Sequence, residues 1–405
     1  MYNKIKFYFR LKNLTRKLKK ENNKKDFIKD LKFNSYVLII DIKIPEFNKD
    51  SGSRRLTEII KILLKNKKGV FLMADRKEYR YKSEYIPYFK ELGVIVYEPS
   101  LDEYGRLITR ESFLEMVLKK TDFVWLHRPD IFSKYEPLIK KYNSKTKIFF
   151  DMVDFHYLRF KREASLTSNK NILKKANEYL KLELNNCQRA DGVIVISDFE
   201  RQVLKPYYDE DYKIFVVGNV HEHLKLNNFP GFEARKNLLF IGGFDHKPNV
   251  DCVMYLHDKI MPLVWEVLPN VSISILGSNP PPSVMALHSK NFKIIGYVED
   301  VAPYFLNSKI FVAPLRYGAG IKGKIGQSLE YSLPLVTTQI GAEGFNFIDN
   351  KDKIIGNTSE EIATNIISIY KDIILWKKIS LASEKVILPF SISHIEETVL
   401  SMINN

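Results

Sequence analysis

Residues 310 to 344 hold the side chains best suited to phosphate chemistry in this chain. An apolar run, Ile310 to Leu315, is typical of a buried parallel strand, and a glycine-rich turn follows it. Lys322 and Lys324 stand at the start of the helix predicted after that turn. Free backbone N–H groups and ammonium groups attract phosphate at such a position. The stretch therefore predicts a nucleotide site made by Gly318, Gly320, Ile321, Lys322, Lys324, Gln327 and Glu343.

Three other turns in the same half of the chain would border the same ligand. Gly243 lies in the first turn and Gly277 in the second, where a missing side chain lets the backbone approach a ligand closely. Tyr297 and Val298 lie in the third turn and could contact a nucleobase. The first turn lacks the full G-x-G-x-x-G pattern, which disfavours a nicotinamide cofactor.

His156 is the candidate catalytic residue of the first half of the chain. It follows an apolar run that ends near Asp151, and Asp154 and Arg159 flank it. A histidine beside carboxylates can orient or polarise a sugar hydroxyl near neutral pH. We expect Asp154 and Arg159 to contact the acceptor. No metal is expected, because no second His or Cys falls at ligand spacing.

A further acceptor contact is predicted in the loop after the first apolar run. Ser51, Gly52 and Ser53 follow Asp50 immediately before a helical pattern. Such a loop can bind an anion or a hydroxyl group. The alternative is an ordinary helix N-cap, in which the polar side chains satisfy only the backbone.

Apolar runs alternate with helical periodicity in two successive series, which predicts an α/β fold of two facing Rossmann-like domains. The first series predicts strands near 36–42, 69–75, 94–99, 123–127, 147–152, 192–197 and 213–218, with a long helix over 160–189. The second predicts strands near 238–242, 271–276, 292–297, 309–315, 334–338 and 353–355. Ligands of such sheets bind at the carboxyl ends of the strands. The predicted organisation is a basic helical extension over 1–35, a first domain over 36–220, a linker over 221–236, a second domain over 237–380 and a C-terminal helix over 381–405.

The composition indicates a globular protein of the reducing cytosol. Apolar residues make up 45% of the 405 and charged residues 27%. No run approaches the ~20 apolar residues of a membrane-spanning helix, and no signal peptide is visible. The two cysteines, Cys187 and Cys252, show no metal-site spacing.

The net charge of +15 is concentrated at the amino end, where residues 1–32 hold 12 Lys or Arg and 3 Asp or Glu. Phe7, Leu11, Leu14 and Leu18 recur there at helical spacing. This pattern is typical of a cationic amphipathic helix on an anionic membrane surface. The alternative is a solvated helix or linker. Nucleic acid is not expected as a partner, since a basic arm alone gives only non-specific affinity.

Taken with LLFIGGFDHKPNVD and GYVEDVAPYF, the stretch 310–344 resembles the group 1 glycosyltransferases of two-domain GT-B architecture. The resemblance implies a retaining, metal-independent enzyme that moves a sugar from a nucleotide-diphosphate donor to a glycan or lipid-linked acceptor in bacterial polysaccharide synthesis. It implies that the second domain holds the donor, that Lys322 stabilises the leaving diphosphate, and that the first domain supplies His156 and the acceptor contacts. It also implies that the last helix returns to the first domain.

The chain departs from the broad family pattern at one pair of positions. Many members carry two glutamates eight residues apart, and Ala319 and Gln327 occupy those positions here. Gln327 can still hydrogen-bond a ribose hydroxyl, whereas Ala319 cannot replace a carboxylate. The donor sugar is therefore left open.

Two other functions remain open from the sequence. A nucleotide-sugar epimerase can share this architecture, but it would need acid–base carboxylates beside the sugar. A non-catalytic subunit could bind a nucleotide sugar or a partner enzyme through its basic tail. The glycosyltransferase is the interpretation that the sequence favours, in the cytoplasm or on the inner face of the membrane.

Overall fold

The computed structural model describes residues 2–29, 31–75, 83–224 and 229–404. Its first half is built on a parallel seven-stranded sheet of order β3-β2-β1-β6-β7-β8-β9, with a two-stranded antiparallel hairpin β4-β5 beside it. The strands are β1 Ser35–Asp41, β2 Lys68–Ala74, β3 Ile95–Val96, β4 Ser100–Leu101, β5 Leu107–Ile108, β6 Thr121–His127, β7 Lys147–Asp151, β8 Gly192–Val195 and β9 Ile214–Val216. The helices are α1 Tyr2–Lys20, α2 Ser51–Lys65, α3 Ile86–Glu91, α4 Arg110–Val117, α5 Pro129–Tyr142, α6 His156–Thr167, α7 Lys170–Arg189 and α8 Asp198–Leu204.

The second half is built on a parallel five-stranded sheet of order β12-β11-β10-β13-β14. The strands are β10 Leu238–Ile241, β11 Ile273–Leu276, β12 Phe292–Gly296, β13 Ile310–Ala313 and β14 Leu335–Thr337. The helices are α9 Lys247–Tyr255, α10 Met261–Val267, α11 Pro282–Met285, α12 Ala302–Asn307, α13 Gly323–Glu330, α14 Gln339–Ala342, α15 Lys351–Ile354, α16 Ser359–Lys371, α17 Ile373–Ile387 and α18 Ile392–Asn404. A π-helical turn, Leu256–Ile260, joins α9 to α10. Helices cover the sheets, so the strands are continuous apolar runs, as in Ile310–Ala313, where every residue is fully buried.

The two parallel sheets with alternating helices confirm the predicted α/β fold of two Rossmann-like halves. The first sheet has a separate apolar core on each of its faces, and the second half has one large core. Residues 225–228, within the predicted linker, lie outside the described part of the chain.

Two of the predicted elements are wrong. The helix expected over 160–189 is two helices, because Ser168 adopts a left-handed conformation (φ +52°) and the Asn169 side chain caps α7 through the N–H groups of Asn171 and Ile172. The strand expected over 353–355 is the short helix α15, and only Ile355 forms an isolated bridge, to Thr337.

The last two helices join the two halves of the molecule. Helix α17 packs against α13 of the second half, while α18 packs against α2 and β9 of the first. Between them the chain makes a 3₁₀ turn at Leu388–Phe390. Residues 373–403 are long and apolar enough to cross a membrane, with a mean hydropathy of 1.3 over their most apolar stretch, a third of which is buried. The 3₁₀ turn and the packing of both helices argue that this segment lies along the protein rather than across a bilayer.

The basic helix α1 is only partly anchored to the rest of the chain. Leu18, near its carboxyl end, is buried, and the backbone that follows donates from Lys25 N–H to Leu101 O. Tyr8 and Phe9 are exposed over more than half of their surface. The apolar residues of this helix therefore do not all face solvent.

Candidate active site

A glycine-rich segment, residues 318–324 and here called the glycine loop, follows β13. It meets the first domain across the cleft where the carboxyl ends of the two sheets face each other. Gly320 has φ +71°, a conformation that side chains other than glycine rarely adopt. A Cβ atom at Gly320 would lie 2.6 Å from Ile196 Cδ1 and 3.4 Å from Asp154 Cβ of the first domain. The residue therefore has to be glycine for both its own conformation and the close approach of the two domains.

Lys322, the N-cap residue of α13, is buried in this interface. Its Nζ atom donates to Gly320 O at 2.5 Å and lies 3.3 Å from Glu343 Oε2. Burial lowers the pKa of Lys322, although Glu343 opposes that shift. The Lys322 ammonium thus already has a counter-charge in the absence of ligand.

Arg162 is a site residue that the sequence analysis did not assign to a role. From α6 of the first domain, its guanidinium makes two hydrogen bonds to Glu343, at 2.8 and 2.6 Å, and a third at 2.8 Å to Gly318 O. Bidentate arginine–carboxylate pairs are among the stronger ion pairs. Glu343 is therefore shared by Arg162 and Lys322, and the three charges join the two domains at the glycine loop.

Lys324, one helical half-turn later, has a different environment. Its Nζ atom donates to Asn249 Oδ1 at 2.5 Å and lies 4.3 Å from the centre of the Phe240 ring. A side chain at Gly242 would collide with Nζ, so the ammonium faces the turn between β10 and α9. Among the described residues no carboxylate oxygen lies within 4.0 Å of it, and burial lowers the pKa of Lys324 to about 8. A largely buried ammonium without a counter-charge is a strong candidate to bind an anion.

The remaining predicted donor contacts surround this turn. A Cβ at Gly277 would overlap Gly242 O, which explains the close approach of the two turns. Tyr297 is 56% exposed, Val298 is half-buried against the core of the second half, and Ile321 is buried against Gly344. Gln327 is half-buried on α13, and Gly243 is exposed in the β10–α9 turn.

His156 begins α6 and is held by acidic groups. Its Nδ1 atom lies 3.0 Å from Asp154 O, 3.2 Å from Asp154 Oδ1 and 3.3 Å from Glu183 Oε1, and its ring stacks on Tyr179. Although burial opposes the charged form, Asp154 and Glu183 raise the pKa of His156. No described residue hydrogen-bonds its Nε2 atom, so that atom is the one available to a substrate.

Asp154 and Arg159, two more of the predicted acceptor residues, lie beside His156. Arg159 binds Asp154 Oδ2 at 2.8 Å. Although burial opposes ionisation, His156 and Arg159 lower the pKa of Asp154. These residues form a charge cluster next to the glycine loop, since Asp154 Cβ lies close to the Gly320 position.

Glu200, on α8, is a buried carboxyl group that the sequence analysis missed. It accepts hydrogen bonds from the backbone N–H groups of Phe155 (3.1 Å) and Ile196 (3.4 Å), and its Oε1 would lie 3.7 Å from a Cβ at Gly320. Burial and the neighbouring Asp154 charge raise the pKa of Glu200 to about 7. Its sequence context indicates only the first turn of a helix, which gives no signal for this role.

The predicted acceptor loop 51–53 begins helix α2. Asp50 is the N-cap of this helix and accepts from Ser53 N–H at 2.7 Å and from Ser53 Oγ at 2.9 Å. The capping alternative therefore accounts for Asp50 and Ser53. Ser51 faces α13 of the second domain, because a Cβ at Gly323 would collide with it, and Gly52 is half-buried beside Asp50.

A second ionic contact between the domains lies at the other end of α13. Glu330 is buried and lies 2.8 Å from His221 Nδ1 and 2.9 Å from Arg54 NH1. Although burial opposes ionisation, His221 and Arg54 lower the pKa of Glu330. Helix α13 is thus fixed to the first domain at both of its ends.

No group of three or more His, Cys, Asp or Glu side chains that could hold a metal ion occurs within the described residues. The expectation of a metal-independent site remains a prediction.

Comparison with known proteins supports the fold described above. Residues 235–372 match the model of the family described as glycosyl transferases group 1. An uncharacterized 44.6 kDa protein in the cps region of Klebsiella pneumoniae is 24% identical over 155 residues, which are 36% of this chain and only 39% of that protein.

Several solved structures are similar over nearly the whole chain. TarM of S. aureus, solved in complex with fondaparinux, α-GlcNAc-glycerol and UDP, is 12% identical with a TM-score of 0.69, covering 91% of this chain and 100% of that one. HepE of Anabaena, in complex with UDP and glucose, is 12% identical with a TM-score of 0.65, covering 91% and 99%. Sucrose-phosphate synthase of Thermosynechococcus elongatus is 13% identical with a TM-score of 0.69, covering 91% and 98%.

The chain therefore has the GT-B fold of two Rossmann-like domains. Its segment 235–372 matches the model of the group 1 glycosyltransferases, which confirms the resemblance stated from the sequence.

Proposed function

We propose that this protein transfers a sugar from a nucleoside-diphosphate sugar to a glycan or lipid-linked acceptor, with retention of configuration, in the synthesis of a bacterial surface polysaccharide. The observation that carries the proposal is Lys324, a largely buried ammonium without a carboxylate partner among the described residues, beside two glycine turns of a group 1 domain. A pyrophosphate would supply the missing negative charge. The cps-region relative supports the polysaccharide assignment, and the UDP held by TarM and HepE supports a nucleotide donor.

Charge development at the leaving group is the step that this site is suited to assist. As the glycosidic bond breaks, the departing diphosphate gains negative charge, and Lys324 and Lys322 would stabilise it. Stabilisation of developing charge by fixed groups is usually the largest catalytic contribution. Lys322 could leave Glu343 and bind the phosphate, because Glu343 would keep Arg162 as its partner.

His156 is proposed to position the donor sugar or the acceptor from the opposite wall of the cleft. Asp154 and Glu183 fix its Nδ1 side, which leaves Nε2 for a hydroxyl group. Asp154, Arg159 and Ser51 are the proposed acceptor contacts, since they line the first-domain side. No metal ion is proposed in the reaction.

The chemical test is release of nucleoside diphosphate from a panel of nucleotide sugars, measured without acceptor and with lipid-linked or oligosaccharide acceptors. We expect one donor to be turned over, faster with acceptor, and ¹H NMR of the product to show the anomeric configuration of the donor. Tight donor binding without turnover under any condition would contradict an enzyme and favour the non-catalytic subunit. An inverted anomer would contradict retention alone.

The basic helix α1 is proposed to hold the enzyme at the inner face of the membrane. The surplus of positive charge in residues 1–32 and the exposed Tyr8 and Phe9 support this. Deletion of residues 1–20 should then weaken binding of the protein to anionic vesicles and make that binding less dependent on salt. Unchanged binding would contradict a role of α1 in membrane attachment.

A further inference from the structure

Helix α17 carries an exposed apolar ridge that the active site does not use. Ile374, Leu381 and Leu388 are 64%, 82% and 64% exposed. They are spaced seven residues apart, so they fall on one line along the outer face of α17 and the 3₁₀ turn that continues it. Fourteen residues of helix extend about 21 Å. The opposite face, which includes Trp376 and Ile379, is buried against the second domain.

Lysines flank this ridge on both sides. Lys377 lies on one side of the line, and Lys378 and Lys385 lie on the other, all three exposed. Glu384 is the one acidic residue of α17 itself. An apolar ridge flanked by lysines matches the acyl chains and anionic headgroups of a lipid surface, where lysine stems extend along apolar groups and their charges reach the headgroups.

An apolar cavity of about 100 Å³ opens beside the ridge. Its walls include Ala382, Val386 and Pro389 from the α17 region and Ile348 from the loop before α15, and Ile348 is itself 65% exposed. The apolar surface therefore continues past the helix into a recess.

We propose that the outer face of α17, here called the α17 ridge (Ile374, Leu381 and Leu388 with Lys377, Lys378 and Lys385), is a docking surface for an anionic lipid bilayer. The helix lies in the plane of the membrane and does not cross it. A second copy of the chain is a poorer occupant, since pairing two such ridges would bring six lysines together around one apolar contact. This surface is separate from α1 and is independent of the proposed reaction.

Sedimentation of the full chain with vesicles tests the ridge. The triple variant Ile374→Ser, Leu381→Ser, Leu388→Ser should lower the partition coefficient on phosphatidylcholine vesicles with 30% phosphatidylglycerol by at least tenfold. Replacing the three lysines by Gln should lower it by about fivefold per lysine on these vesicles, at ~1 kcal/mol for each basic residue, and have little effect on neutral vesicles. The matched control is Leu173→Ser, Tyr212→Ser, Val267→Ser, which removes three exposed apolar side chains elsewhere and should bind as the wild type does.

A tryptophan probe separates the ridge from α1. Leu381→Trp should show a blue-shifted emission on anionic vesicles and quenching by brominated acyl chains, whereas Tyr212→Trp should show neither. The proposal is overturned if the triple serine variant binds as wild type, or if the emission of the Leu381→Trp variant stays unchanged while the protein sediments with vesicles. It is also overturned if the wild type is a dimer that the serine variant dissociates without loss of vesicle binding.

Discussion

The two lysines of the glycine loop differ in what surrounds their charges. Lys322 is paired with Glu343, whereas Lys324 has an amide oxygen and an aromatic ring as neighbours. The sequence could place both at the start of one helix, because the apolar strand and the glycines before it define that position. It could not distinguish them, because only the fold shows that Glu343 pairs with Lys322 and that Asn249 of α9 contacts Lys324.

Lys324→Ala should therefore weaken donor binding more than any other single change in the loop. Loss of a charge-assisted hydrogen bond to phosphate costs about 1.5–3 kcal/mol, which corresponds to a roughly 10- to 100-fold rise in the donor KM. Steady-state kinetics over a range of donor concentrations measures it. Lys293→Ala, which removes an exposed lysine from the same domain, is the control and should leave KM unchanged; equal kinetics for both variants would count against the assignment.

Glu200 gives the site a dependence on pH. Its pKa is raised to about 7 in the folded protein, above the value near 4.5 of an unperturbed glutamate, so the folded state binds more protons between these two pH values. The stability that this group contributes is complete below pH 4.5 and is lost as pH rises to about 7, by roughly 3 kcal/mol at 1.36 kcal/mol for each pKa unit.

Glu200→Gln should remove that loss while keeping the shape of the side chain. We expect the melting temperature of the variant relative to wild type to rise between pH 5 and pH 8. Thermal denaturation at both pH values measures the difference. A difference that does not change with pH would show that Glu200 is ionised throughout this range.

At the level of elements, the strand–loop–helix unit around β13 and α13 was predictable because its signals are local: apolar run, glycine turn, helix start. Helix breaks that depend on a single capping side chain were harder to predict. Asn169 is an example, because it divides a helical pattern that is otherwise continuous. The ionic contacts that fix α13 could not be foreseen. Glu330 has the sequence context of an exposed helical residue, and its partner Arg54 is 276 residues away.

Glu330→Ala tests how strongly α13 depends on that contact. Removal of one partner leaves His221 and Arg54 without their acceptor. Because Arg54 is partly exposed, we expect a loss of about 2–3 kcal/mol, below the usual cost of breaking a fully buried pair. The melting temperature should fall by about 2–4 °C, given the unfolding entropy of a chain of this length. Glu397→Ala, at an exposed position on α18, should change it little; if the two variants melt alike, the Glu330 contact does not stabilise the fold.

At the level of the whole molecule, the active site exists only when the two domains are in contact. The sequence predicted two facing domains and a cleft, because each alternating series is complete in itself. It did not reveal that Arg162 binds Glu343 across the cleft, since the two are 181 residues apart and Arg162 has no distinctive local pattern.

Gly320→Ala should separate donor binding from transfer. The added methyl group would press on Ile196 of the first domain, while the lysines that bind the donor stay in the second. Turnover should fall by roughly 100-fold, as expected for a misplacement of about 1 Å at a reacting centre. Donor affinity should fall less than turnover, because Lys324 is not among the groups that the new methyl group would contact. Isothermal titration gives the affinity and initial rates give turnover.

A second substitution can show that this effect comes from the clash. Ile196→Ala in the Gly320→Ala background should restore part of the lost turnover, because it makes room for the new methyl group. Gly231→Ala is the control, since nothing lies within 4 Å of its Cβ position. If donor affinity falls as much as turnover and Ile196→Ala restores neither, the defect lies within the glycine loop itself and the prediction is wrong.

The central claim is that the glycine loop and Lys324 bind a nucleoside diphosphate. Thermal stabilisation by UDP, GDP, ADP and dTDP, each compared with its own nucleoside, tests it directly on the wild type and on Lys324→Ala. One diphosphate at 100 times its dissociation constant should stabilise the wild type by about 2.7 kcal/mol. The corresponding nucleoside should stabilise the wild type much less. The same diphosphate should also stabilise the Lys324→Ala variant much less. Stabilisation that is equal for nucleoside and diphosphate, or equal in wild type and variant, would contradict the account.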